Sequence, residues 1–480
     1  MAVRLHALAC ASAGLIAASL AAPAQQPAPT ADAAAATRML GAWQGVLASG
    51  AFRARLGFVV SRDSAGALVG LMKSIDQGVD VPATVAVRGD TFSFAIAPEH
   101  IAYSGVLTGT SGDTVRGTFT QNGQSIPLTL GRSAAASMAS ARPQDPKPPF
   151  PYGTQDVTIP SDSGVSLAGT VVMPPGKGPF PAVVFVTGSG PQDRDEALMG
   201  HRPFLVIADY LARHGIASLR YDDRGFAKST GNFGNSTSAD FADDAEAALH
   251  FLQHVPGIAR DRVGILGHSE GALIGPMVGA RSHDVAFLVL MAGPGMPGDS
   301  LSLLQLRRLT GTSVPAAQLD LMVANNARLY TAVTGARDSV DAVARVMAAK
   351  QAMLASMSDD QRPAAEARLD KAIPILIAPW MRYFLRYDSR TALRKIHVPV
   401  LALDGSLDQQ VPARENLSGI DAALKAAGNP DYKIIELPNL NHLFQTATTG
   451  APSEYATIDE TIAPQALDLI ASWINQRFSR

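Results

Sequence analysis

The chain has 480 residues, with 40 Lys plus Arg against 42 Asp plus Glu and a formal net charge of −2. That length implies two or three folded units. The near balance of charge supplies no basic field to hold nucleic acid or anionic lipid. Beyond the first segment no apolar run reaches the ~18 residues that a membrane span needs, so none is expected in the mature chain.

The first segment reads as a secretory signal peptide over residues 1–24. Arg4 supplies the positive start, Leu8 to Leu20 the apolar core, and Ala22-Pro23-Ala24 a small-residue cleavage site. Export to a bacterial periplasm or beyond is the expectation. Cys10 is the only cysteine and lies inside this segment, so the mature chain is expected to carry no disulfide. Residues 25–36 are rich in Ala, Pro and Gln and read as a disordered tether.

From 37 to 132 the texture changes. Short alternating stretches recur, among them Leu56-Gly57-Phe58-Val59-Val60, Thr91-Phe92-Ser93-Phe94 and Thr114 to Phe119, with Gly, Asp and Asn between them. Short strands at regular spacing with turn chemistry predict an antiparallel sheet or small barrel. The opening Gly41-Ala42-Trp43-Gln44-Gly45 and the later Gly117-Thr118-Phe119-Thr120-Gln121 resemble the ends of small lipocalin-like barrels. Residues 133–150, ending in Pro143, Pro146, Pro148 and Pro149, read as an extended linker because Pro fixes φ and denies helix.

Residues 151–480 alternate strand with helix, which implies βαβ units and an α/β fold with a mostly parallel, eight-stranded sheet. Strands are predicted at Asp156–Ile159, Val165–Val172, Ala182–Thr187, Ile216–Tyr221, Arg262–Leu266, Ala286–Met291, Val398–Leu403 and Tyr432–Leu437. Helices are predicted near Phe204–His214, Ala239–His254, Arg414–Ala427 and Pro464–Phe478. One stretch departs from the alternation. Residues 300–393 are Ala/Leu/Arg/Asp-rich and helix-periodic, and a structureless loop of that length is implausible. They read as a helical cap inserted between two strands.

The chemistry concentrates at Gly267-His268-Ser269-Glu270-Gly271. This G-x-S-x-G follows the apolar run Val263 to Leu266 and precedes a helical run from Ala272. Strand, sharp turn and helix make a nucleophile elbow, with Gly267 and Gly271 where side chains would collide. In such sites the order along the chain is Ser, acid, His. Of the ten histidines only His442, in Asn439-Leu440-Asn441-His442, follows a late strand and an acid. His268 is read as a packing residue. Asp404 and Asp408 compete for the acid. Asp408, one short turn past the strand, is favoured, and Asp404 is left to cap the turn. The oxyanion donors are expected at the backbone N–H of Glu270 and, in the Gly188-Ser189-Gly190-Pro191 loop, at that of Ser189, with Gly188 permitting close approach. No metal cluster, P-loop or dinucleotide fingerprint is visible, and chemistry of this kind requires no cofactor.

Together Gly188 to Asp195, Arg220-Tyr221-Asp222-Asp223-Arg224-Gly225, Gly267 to Gly271, and Asp404 to Pro412 with Asn441-His442 resemble the α/β-hydrolase superfamily. They are most similar to secreted bacterial carboxylesterases of the esterase D type and to serine-aminopeptidase-like hydrolases, whose catalytic domain follows a small β domain here. The resemblance implies a serine carboxylesterase with Ser269 as nucleophile, Asp408 as acid and His442 as base, acting on a small-molecule ester. The same triad cleaves amides and thioesters, so an aminopeptidase or thioesterase is the nearest alternative. A catalytically silent binding protein is the alternative of another class. Where many relatives carry His before the oxyanion-loop Gly, this chain has Thr187. Asp222, Asp223 and Arg224 are read as structural. Asp193, Arg194 and Asp195 border the site and are candidates to orient a polar substrate. The cap acids Asp338, Asp341, Glu366 and Asp370 are spaced as solvated helical faces rather than as a pair for a free amino terminus.

Overall fold

The computed structural model describes residues 30–49, 52–75, 79–108, 113–121, 123–133, 142–161 and 164–478. The proposed signal peptide lies outside them. The chain divides near Pro143 into two compact units.

The first unit opens with α1 (Thr30–Met39) and continues with β1 (Gly41–Ser49), β2 (Phe52–Arg62), β3 (Leu68–Ser74), β4 (Val79–Arg88), β5 (Thr91–Ile96), β6 (Ile101–Thr108), β7 (Thr114–Gln121) and β8 (Gln124–Ser133). Each strand pairs antiparallel with the next, and β1 closes on β8 through Ala42–Ser133 and Trp43–Arg132, giving a closed eight-stranded barrel. Alternate residues of β6 face inward: Ile101 and Tyr103 are buried, while Ala102 and Ser104 are exposed. The interior is filled rather than hollow. Trp43, Phe58, Phe92, Phe94, Tyr103 and Phe119 share one cluster, and Phe94 and Tyr103 stack with centroids 5.7 Å apart. The Tyr103 hydroxyl lies 3.3 Å from the carbonyl of Val115 and 3.2 Å from that of Leu128, so the polar tip is accommodated inside an apolar core.

The tether expected over 25–36 is corrected by α1. From Thr30 onward the segment is helical, and residues 25–29 lie outside the described part. Its run of alanines has the highest intrinsic helix propensity. Met39 is buried in the barrel cluster, and its carbonyl accepts the Trp43 indole N–H at 2.8 Å, so tertiary packing holds a helix that would be too short alone.

The second unit contains β9 (Gly153–Pro160), β10 (Ser166–Met173), β11 (Phe180–Val186), α2 (Pro203–Arg213), β12 (Ala217–Tyr221), α3 (Ser238–Gln253), β13 (Ile258–His268), α4 (Glu270–Gly279) and β14 (Leu288–Met291). Six helices follow: α5 (Gly298–Thr310), α6 (Ala316–Thr334), α7 (Ser339–Ala355), α8 (Arg362–Leu376), α9 (Pro379–Arg386) and α10 (Arg390–Leu393). Then come β15 (Val400–Gly405), α11 (Ala413–Ala426), β16 (Tyr432–Leu437) and α12 (Pro464–Phe478). The sheet runs β16-β15-β14-β13-β11-β12-β10-β9. It is parallel from β16 to β12, while β10 pairs antiparallel with both β12 and β9. Helices cover both faces, which is why its central strands are continuous apolar runs such as Ala182 to Val186. This order of strands and helices is the α/β-hydrolase fold. Helices α5 to α10 form the cap, with a core of their own built on Leu329, Val333, Val346, Ile373 and Leu385.

Candidate active site

The loops that follow β11, β13, β15 and β16 carry the site residues, at the carboxyl ends of parallel strands where open α/β sheets bind ligands. Ser269 stands between β13 and α4 at φ 53°, ψ −113°. A non-glycine residue there is strained and persists only where its surroundings over-determine it. The Ser269 N–H donates to the Met291 carbonyl at 2.8 Å, pinning the turn to β14. The two elbow glycines are required by contact. A Cβ at Gly267 would overlap the backbone of Gly271, and one at Gly271 would overlap the Val186 carbonyl.

His442 follows β16 in a loop that Asn441 organises by accepting from the N–H groups of Leu443 and Gln445, both at 3.0 Å. The His442 Nδ1 lies 2.6 Å from the Asp408 Oδ2. The other oxygen of Asp408 accepts the N–H groups of Gln410 (2.7 Å) and Val411 (2.8 Å), so the carboxylate is aimed before any substrate arrives. Asp408 and His442 are both buried. Asp404, the competing acid, instead accepts from the N–H of Gly405 at 2.7 Å. It is fully buried beside the Asp408 carboxyl. Burial, then the adjacent Asp408 charge, push its pKa well above the carboxylate range.

The loop after β11 reaches the elbow at Gly188. A Cβ added there would lie 3.3 Å from that of Ser269. Gly188 donates its N–H to Glu196 Oε1 at 2.7 Å, which leaves Ser189, at the exposed tip, as the next N–H of the loop. Glu270 is the first residue of α4, where helical N–H groups have no intrahelical partner. Thr187 donates its hydroxyl to Asp223 at 2.8 Å. Asp223 also accepts the Gln192 N–H at 2.8 Å. Burial pushes the Asp223 pKa well above the usual range against these bonds.

Asp193, Arg194 and Asp195, considered for substrate orientation, are engaged by the protein itself. Arg194 forks onto both oxygens of Asp222 at 2.9 and 2.8 Å. Asp195 pairs with Arg220. Asp193 accepts the N–H groups of Asp195 and Ala197. Arg224 likewise forks onto Asp244 at 2.6 and 2.8 Å.

Three side chains contribute in ways that sequence reasoning missed. His268, read as a packing residue, is a polar bridge. Its Nδ1 lies 2.9 Å from Glu196 Oε1, and its Nε2 lies 2.9 Å from the carbonyl oxygen of His442. Glu196 carries no signal in the sequence, and in the fold its φ of 54° marks a strained turn. Trp380 of the cap donates its indole N–H to Glu270 Oε1 at 2.7 Å, an oxygen that also accepts the Ser238 hydroxyl at 2.6 Å. No local pattern signals these contacts, because each joins segments far apart in the chain. Among the described residues no group of His, Cys, Asp and Glu is arranged to hold a metal ion, and no helix is long and apolar enough to cross a membrane.

Residues 202–446 match the family model described as serine aminopeptidase, S33. Esterase EstD of Thermotoga maritima is 27% identical over 336 residues, 68% of either chain. Acyl-coenzyme A amino acid N-acyltransferase 2 of Rattus norvegicus is 29% identical over 130 residues, 27% of either chain. A solved esterase of Pyrococcus furiosus superposes with a TM-score of 0.42 at 14% identity, covering 68% of this chain and 92% of its own.

Proposed function

The chain belongs to the serine aminopeptidase S33 family of α/β hydrolases, and from that premise we propose a serine carboxylesterase acting on esters of small to medium acyl chains through an acyl-enzyme. The observation that carries this reading is the 2.6 Å contact of Asp408 with His442 beside a strained serine elbow. In the proposed reaction Ser269 Oγ attacks the acyl carbon while its proton passes to Nε2 of His442. Asp408 holds the Nδ1 tautomer and stabilises the imidazolium. The N–H groups of Ser189 and Glu270 receive the oxyanion, each worth about 2.7–4 kcal/mol in the barrier. The imidazolium returns the proton to the departing alcohol, leaving the acyl group on Ser269. Water then repeats the sequence and releases the acid.

Ester rather than aminoacyl substrate is supported by the likeness to esterase EstD and by the employment of the cap acids. Asp338 caps α7, Asp341 pairs with Arg337 and Arg345, and Glu366 and Asp370 pair with Lys350. The filled barrel interior supports a chain that does not carry its ligand there. The Arg4, Leu8 to Leu20 and Ala22-Pro23-Ala24 pattern supports export. A panel of nitrophenyl esters beside aminoacyl anilides tests the assignment. Turnover of acetyl to octanoyl esters with little anilide cleavage is expected, and anilides turned over faster than every ester would overturn it.

A further inference from the structure

His268 stands between two groups that the proposed reaction does not use. Its Nε2 faces the His442 backbone carbonyl at 2.9 Å, and its Nδ1 faces Glu196 Oε1 at 2.9 Å. A carbonyl oxygen accepts only, so Nε2 carries hydrogen. Glu196 Oε1 simultaneously takes the Gly188 N–H at 2.7 Å. With Glu196 as a carboxylate, which only accepts, the 2.9 Å contact requires that Nδ1 carry hydrogen as well. A ring with hydrogen on both nitrogens is an imidazolium. His268 and Glu196 are 6% and 4% exposed, so neither charge is left to water. Burial alone pushes the His268 pKa down, but the Glu196 charge and hydrogen bond and the His442 carbonyl outweigh it and the pKa is raised.

We propose that Glu196 and His268 form a buried ion pair that positions three parts of the active site, resting on the reading of Ser269 and His442 given above. Glu196 holds the oxyanion loop by Gly188, next to the donor assigned to Ser189. His268 is the neighbour of Ser269, so its ring orients the elbow. Its Nε2–H grips the backbone of His442, whose ring centroid is 4.8 Å from its own. The strained φ of Glu196, 54°, places its carboxylate between the loop and the elbow. Neither residue touches reacting atoms. Both are positioning residues, and a shift of about 1 Å in such a frame costs on the order of a hundredfold in rate.

The test uses full-length protein with 15N-labelled histidine, His268→Asn identifying the His268 signals. Expected are two protonated ring nitrogens on His268 at pH 7.5, where a solvent-exposed histidine has lost one. In Glu196→Gln, Nδ1 is expected to lose its hydrogen at neutral pH. Its kcat is expected to fall about tenfold to a hundredfold with KM within about twofold. The double variant Glu196→Gln/His268→Asn should lose less than the product of the single losses. An unprotonated Nδ1 in the wild type at pH 7.5 would overturn the pair, whatever the variants do. Unchanged kcat in Glu196→Gln would overturn its positioning role. Activity surviving Ser269→Ala would instead sink the serine-hydrolase reading and leave the spectroscopic result standing.

Discussion

Trp380 and Glu270 are joined by a 2.7 Å hydrogen bond, which ties helix α9 of the cap to the residue that follows the proposed nucleophile. The Glu270 backbone N–H is a proposed oxyanion donor, while its side chain is a latch for the cap. Burial raises the Glu270 pKa, partly offset by Ser238 and then Trp380. Removing the indole N–H leaves that carboxyl its 2.6 Å bond from the Ser238 hydroxyl. Trp380→Phe is expected to cost about 1–3 kcal/mol in urea unfolding, with kcat on a short ester lowered more than KM is raised. Unchanged unfolding and kinetics would show that the latch has no role.

Asp404 gives a pH-dependent prediction with a definite sign. Its folded pKa is raised, so the native state holds a proton that the unfolded chain releases from about pH 4 upward. Stability is therefore lost as pH rises from the unfolded pKa toward the folded one. Asp404→Asn removes that loss. It is expected to raise Tm at pH 8 relative to wild type, with little difference at pH 4. Esterase activity should persist, because Asp408 holds His442. Asp408→Asn, by contrast, is expected to cost about 10⁴ in kcat. A Tm difference of equal size at both pH values would contradict the protonated assignment.

Much of the second unit was legible because strand and helix periodicities differ and its parallel strands are buried on both faces. β16 at Tyr432–Leu437 and α12 at Pro464–Phe478 match the expected bounds. Strand β13 begins at Ile258 rather than Arg262, because Ile258 pairs with Phe180 where periodicity shows only a polar interruption. Helix α1 is hidden in the sequence because its alanines continue the Ala/Pro/Gln-rich stretch before Thr30, which resembles a tether until Met39 and Trp43 are brought together. Asp408 and His442 lie in ordered segments with chain-order logic. Glu196 and His268 do not: their contact spans 72 residues, and nothing in either local sequence points to the other.

The elbow glycines are expected to tolerate no side chain. Gly271→Ala places a methyl group against the Val186 carbonyl, where backbone rather than a flexible side chain must yield. A loss of about 3 kcal/mol or more in stability is expected. Wild-type unfolding and activity in this variant would contradict the packing described.

The barrel offers a separate test. Phe94 is buried and lies 4.2 Å from Phe58 and 5.7 Å from Tyr103 between ring centroids. Phe94→Ala is expected to cost about 3–5 kcal/mol, read from near-ultraviolet circular dichroism during denaturant unfolding. A cost below about 1 kcal/mol would indicate an interior that is loosely filled.

Ser269 is the proposed reacting group, and every other proposed role depends on it. The most direct measurement is intact mass after treatment with a fluorophosphonate, followed by peptide mapping, for wild type and Ser269→Ala. One adduct on the peptide containing Ser269 in the wild type, and none in the variant, is predicted. An unlabelled wild type, or equal labelling of both proteins, would contradict it.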